Sequence, residues 1–232
     1  YDHSCDSRSL FADLQIASHP SFEEHLNKYP VIYLDMTSFV TRYHNDEIVG
    51  IIDQKLQADV LSAYPEHKAK DGDDLMDSLI GIAEATGDRF IFIIDEWDAI
   101  CRDLPIAMDK YVRLLRRMFK DVTAYTVFAG VYMTGILPIK KYDTQSALNN
   151  FKEYSMLKPG SMARFFGFTR DEVKFLADEH GMDFDEMEKW YDGYQIGAET
   201  SMFNPNSVME AIRNEWCESY WGDTAAFTSI TN

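Results

Sequence analysis

The sequence predicts an α/β fold in which a parallel-sheet core over residues 1–160 is followed by a small helical lobe over residues 161–232. Three observations carry that prediction. Phe90 to Ile94 is a run of five apolar residues that ends on adjacent carboxylates, Asp95 and Glu96. Such a run, bounded by polar residues, suits a strand covered by helices on both faces. Two further apolar segments, Tyr29–Asp35 and Ala124–Met133, read as buried strands with helical periodicity between them. Strand–helix–strand order calls for right-handed crossovers, which place all three strands in one parallel sheet. Beyond Pro159-Gly160 the pattern turns helical without a long strand, which sets the boundary near Gly160.

Taken in order, Tyr1 to Ile16 is already apolar at Leu10, Phe11, Leu14 and Ile16 and lacks a start methionine, so the chain reads as a fragment missing its amino-terminal part. Phe22–Leu26 is a short helical piece. The Tyr29–Asp35 strand has Pro30 near its beginning, where a missing N–H is tolerated. Ile48, Ile52, Leu56, Val60 and Tyr64 recur at helical spacing until Pro65. After a charged connector, Asp73 or Asp74 caps a helix through Leu75, Leu79 and Ile82 that ends near Gly87. The Asp71-Gly72-Asp73-Asp74 cluster lacks the register and final Glu of a calcium loop and reads as turn plus cap. Asp103-Leu104-Pro105 starts a helix running to Phe119. Tyr154–Leu157 is a candidate extra strand. In the lobe, Thr169 and Glu172 form a capping-box pattern for a helix to His180-Gly181. Asp185–Trp190 is a second helix, and Asn204-Pro205 leads a third.

Composition narrows the function classes. With 39 acidic against 22 basic residues and a net charge of −17, the chain is a poor nucleic-acid binder, because phosphate contacts depend on Lys and Arg. The densest basic groups, Arg113/Arg116/Arg117/Lys120 and Lys140-Lys141, are small. No apolar run approaches the ~18 residues of a bilayer span. The opening residues show no secretion leader. Three widely separated cysteines, in no metal-ligand spacing, point to a reducing cytoplasm.

The chemistry is expected at the end of the central run. In doubly wound sheets, ligands gather outside the carboxyl ends of the strands. A strand ending Asp-Glu is a Walker B candidate, with Asp95 on the Mg²⁺ side and Glu96 as general base. Asp35 ends the neighbouring strand and is a second candidate for the metal shell, against the commoner role of helix cap. Asp98 reads as fixing a backbone turn after the strand. Arg116, Arg117 and Arg164 read as solvated charges rather than an arginine finger, and the Trp190–Tyr194 aromatic cluster as packing.

The segments Tyr29–Asp35, Ile93–Asp98, Met133–Ile136, Ala147–Asn150, Phe166–Thr169, Trp190–Tyr194 and Asn204-Pro205 together resemble a bacterial and archaeal AAA-ATPase-like family. Its members carry a P-loop NTPase domain, often linked to a PD-(D/E)XK nuclease-like domain. Trp97 stands where the family more often has Tyr. The resemblance implies a P-loop NTPase-like core with a helical lid, and an intact prokaryotic protein that hydrolyses ATP with Mg²⁺ and couples this to a partner or effector domain. Thr134, polar at the end of the third strand, resembles a sensor of the γ-phosphate and reads equally as an ordinary strand-end hydroxyl.

The sequence departs from the family in lacking Gly-x-x-x-x-Gly-Lys-[Ser/Thr]; it has no Gly-Lys pair at all. Without backbone N–H groups and a Lys around the phosphates, these residues alone are expected to bind ATP weakly or not at all. Gly-x-Ser-x-Gly, His-Glu-x-x-His and Gly-x-Gly-x-x-Gly are absent, and Glu172-Val173-Lys174 lies in a helix where a nuclease site needs a strand. The alternative is a non-hydrolysing protein-interaction module that keeps the NTPase-like fold.

Overall fold

Helix caps and strand alternation set out the architecture of the computed structural model, which describes residues 3–138, 148–197 and 199–220. Lys140-Lys141 and Ala147 lie outside those residues. The chain divides into two compact units, Tyr1–Lys152 and Glu153–Asn232.

In the first unit, the single-turn helices α1 (Arg8–Phe11) and α2 (Phe22–His25) precede β1 (Val31–Asp35). Pro30 sits just before the strand and contributes only its carbonyl, which accepts from Ile91 N–H at 2.9 Å. Asp35 ends β1 and caps α3 (Met36–Val40), accepting from Thr37 N–H at 2.9 Å and Ser38 N–H at 3.4 Å. Then come α4 (Ile48–Ala63) and α5 (Leu75–Thr86). Asp74 and Asp77 form a capping box at the start of α5, and Gly87 ends it in the left-handed region at φ +79°. β2 (Phe90–Asp95), α6 (Ala99–Asp103), α7 (Met108–Phe119), α8 (Ala124–Val127) and β3 (Phe128–Met133) complete the unit.

The sheet has the order β1-β2-β3 and both pairings are parallel, with Asp35 opposite Asp95 and Ile94 opposite Met133. Its buried face carries Ile32, Leu34, Phe90, Phe92, Ile94 and Phe128. These belong to one core cluster with Ile52 and Leu56 of α4, Leu79 and Ile82 of α5, and Leu115 and Phe119 of α7. Phe92 sits edge-on to Phe119 and Phe128, with ring centroids at 5.6 and 5.9 Å.

Two expectations are corrected here, and one helix is added. Among the described residues only one face of the sheet is fully buried: Ile91 and Ile93 are half-buried, and Tyr33 and Tyr132, flanking Ile93 in register, are 59% and 60% exposed. The central run is apolar on both faces, so it conceals the period-two alternation that burial reveals. The Ala124–Met133 segment is strand only from Phe128, because Ala124–Val127 winds into a helical turn. The chain between Trp97 and Pro105 contains α6, a helix not foreseen.

The second unit holds β4 (Phe168–Thr169), α9 (Arg170–His180), α10 (Phe184–Tyr191), β5 (Asp192–Ile196), β6 (Glu199–Phe203) and α11 (Pro205–Asn214). Thr169 with Glu172, Asp183 and Asn204 cap its three helices. The expected helical lobe without a long strand also holds short strands: β4-β6-β5 form a three-stranded antiparallel sheet beside the helices. Tyr191 packs into this unit's own core with Met187, Val208 and Ala211. The expected strand at Tyr154–Leu157 is an isolated bridge between Ser155 and Lys158. Among the described residues no helix is long and apolar enough to cross a membrane.

Candidate functional site

At the carboxyl edge of the parallel sheet, three of the four residues singled out in the sequence are bonded into one cluster. Asp95 ends β2, and its two carboxylate oxygens are held by different neighbours. Oδ1 accepts from the Thr134 hydroxyl, and Oδ2 accepts from the Tyr33 hydroxyl at 2.9 Å. The Glu96 N–H donates to the Thr134 hydroxyl oxygen at 3.2 Å, so Thr134 bridges the two acids. Thr134 is itself fixed by backbone bonds, its N–H to Ile94 O at 2.9 Å and its carbonyl from Trp97 N–H at 2.8 Å.

Glu96 turns the chain sharply away from the strand. Its φ of +52° lies in the left-handed region, a conformation of order 1–3 kcal/mol above the usual wells for a non-glycine residue. Its Oε2 accepts from Arg102 Nη2 of α6 at 2.7 Å. Arg102 Nε lies 3.4 Å from Asp98 Oδ2, within ion-pair range but without hydrogen-bond geometry. Asp98 is fully buried, and accepts from Ile136 N–H at 3.3 Å and Leu137 N–H at 3.0 Å. Its carboxylate therefore fixes the loop after β3 rather than its own turn. Gly135 in that loop leaves no room for a side chain: a Cβ there would meet Asp98 Oδ1 and Trp97 Cδ1 at 2.6 Å. The Glu96 side chain nonetheless keeps 36% of its surface exposed, so the Arg102 bridge does not close the edge off.

Electrostatics keep Asp95 ionised. The Thr134 hydroxyl, and after it the Tyr33 hydroxyl, hold its carboxyl below the ordinary carboxylate value against a smaller opposing effect of burial. Tyr33 shifts the other way, its phenol raised chiefly by its bond to Asp95, and stays a donor. Beneath the site the Cys101 thiol is pushed up to about 12, by burial first and by the Asp98 charge second.

Asp35 stands next to Asp95 on the same edge, with Oδ1 engaged in capping α3. The basic candidates lie in other roles: Arg117 pairs with Asp74 at 2.5 Å and Asp77 at 3.1 Å, and Arg164 lies over the Phe165 ring at 5.6 Å. Two participants, Tyr33 and Arg102, were not foreseen. Tyr33 shares a strand face with Asp35 by period two, which was the available signal. Arg102 was hidden with the helix that carries it.

A magnesium ion is compatible with this arrangement. Among the described residues no three His, Cys, Asp or Glu side chains gather into a metal cage. Magnesium needs none, since it keeps several waters and takes one or two carboxylates plus phosphate oxygens. Asp95, anionic and with one hydroxyl on each oxygen, offers such a carboxylate.

A family model described as "Predicted AAA-ATPase" matches residues 1–145. An "Uncharacterized protein in vnfD 5'region" of Azotobacter chroococcum mcd 1 is 25% identical over 238 residues, covering 96% of this chain. The chain spans only 43% of that relative's length. No solved structure matches.

Proposed function

The chain belongs to the AAA-ATPase-like family, and from that premise we propose that it supplies the metal-and-water side of an ATP-hydrolysing site. The observation that carries this reading is the convergence of Asp95, Glu96 and Thr134 at the carboxyl edge of the central parallel strand, joined by the Thr134 hydroxyl. Mg²⁺-bound ATP, when present, supplies the phosphoryl group that water attacks. Asp95 holds the metal through water, as an oriented carboxylate that stays charged. Glu96 orients the attacking water and accepts its proton. Thr134 keeps the two acids in fixed relation, and its hydroxyl is the group through which a γ-phosphate is sensed. Asp35, with one oxygen engaged in its cap, takes at most a secondary part in the metal shell.

With no Gly-Lys pair in the sequence, the groups that grip the β- and γ-phosphates come, in this reading, from outside these 232 residues. A relative more than twice as long is in keeping with that. The second unit, with a core of its own, is the element that couples nucleotide state to a partner or effector domain.

The test is ATP turnover of the full-length protein and its Glu96→Gln variant. Loss of a general base lowers turnover on the order of 10²- to 10⁴-fold, while nucleotide binding persists. Turnover unchanged by Glu96→Gln refutes the base assignment. A full-length protein that neither binds nor hydrolyses ATP supports the interaction module instead.

A further inference from the structure

Resting on the assignment of Asp95 to magnesium, we propose that Tyr33 is a positioning residue that presets the Asp95 carboxylate for the metal's water shell. Tyr33 lies on β1 opposite Ile93, and Asp35 lies opposite Asp95. The phenol thus reaches along the sheet by two residues, and across to the next strand, to place its hydroxyl 2.9 Å from Oδ2. Tyr33 is 59% exposed and absent from the core cluster, so packing does not dictate the bond.

The division of labour on Asp95 is specific. Thr134 donates to Oδ1 and Tyr33 to Oδ2, one donor on each oxygen. Two donors on opposite oxygens fix the torsion of the carboxylate. An ionised carboxylate has about four lone-pair sites, so each oxygen keeps one for a metal-bound water. Both donors are neutral hydroxyls, which orient the charge without cancelling it as Lys or Arg would. Donors behind a metal-binding carboxylate tune affinity because they fix its direction before the metal arrives.

The experiment measures ATP turnover of the full-length protein against free Mg²⁺ at saturating ATP, for the wild type, Tyr33→Phe and Asp95→Asn, and beside it Mn²⁺ binding with a non-hydrolysable ATP analogue by electron paramagnetic resonance, which Tyr33→Phe should weaken in the same proportion. Tyr33→Phe removes only the hydroxyl, and should raise the Mg²⁺ half-saturation by about tenfold, the low end for lost supporting donors, with excess Mg²⁺ restoring most of the turnover. An inactive Asp95→Asn beside a Tyr33→Phe with wild-type Mg²⁺ dependence overturns the role of Tyr33 and leaves the Asp95 assignment standing. A Tyr33→Phe defect that excess Mg²⁺ does not restore also overturns it. Asp95→Asn with full turnover, or a wild type with no Mg²⁺-dependent turnover, overturns the underlying reading and this proposal with it.

Discussion

Thr134 takes part in four hydrogen bonds at the sheet edge: to Ile94, to Asp95, and from Glu96 and Trp97. Thr134→Val keeps the shape and removes the hydroxyl, so Asp95 loses the largest of the influences that lower its pKa. The sign follows from linkage. A depressed carboxylate contributes stability that is complete above the unfolded value of about 3.9 and lost as pH falls through the lower native value. The variant should therefore be less stable than wild type by about 1 kcal/mol at neutral pH. That gap should begin to close below about pH 4 and narrow, once Asp95 is protonated in both proteins, to what the lost Glu96 N–H bond costs at any pH, which urea unfolding at stepped pH will measure. At this scale the sequence revealed Asp95 and Glu96 because an apolar strand ending in two acids is a local pattern. Of their partners, Tyr33 is distant in the chain and Arg102 only six residues from Glu96. Tyr33 and Arg102 join them through strand register and through a five-residue helix, α6, neither of which periodicity encodes.

Phe92 is the central element's anchor: fully buried on β2, it holds α7 through Phe119 and β3 through Phe128. Phe92→Ala should lower unfolding free energy by about 3–5 kcal/mol, the range for a cavity left by a core aromatic, read from denaturant titration. Long elements with strong signals were legible: β1, β2, α4, α5 and α9 all sit where apolar spacing and caps put them. Short or mixed ones were not. Ala124–Val127 has strand-like composition yet turns as a helix, and β4 is two residues long. β5 contains Gly193 and Gln195, and β6 contains Ser201 at φ +63°, so neither carries an unbroken apolar signal. The half-exposed face of the parallel sheet was hidden for the opposite reason, its residues being as apolar as the buried ones.

At the scale of the whole molecule, a net charge of −17, one large core in the first unit and two smaller clusters in the second describe an acidic chain built in two parts. The first core forms around one parallel sheet; the second combines three helices with a short antiparallel sheet. Among the described residues no cysteine forms a disulfide; Cys5 is exposed, and Cys101 and Cys217 are buried. Cys101 belongs to the first core and Cys217 to the second, and burial raises the pKa of both thiols. A thiol reagent at neutral pH should modify Cys5 at once and reach the other two only as their surroundings open. Each half of the molecule thus contains a native chemical clock for its own opening. With Phe92→Ala in place, the Cys101 clock should run at lower urea while that of Cys217 keeps its wild-type midpoint, as mass spectrometry of labelled peptides will record.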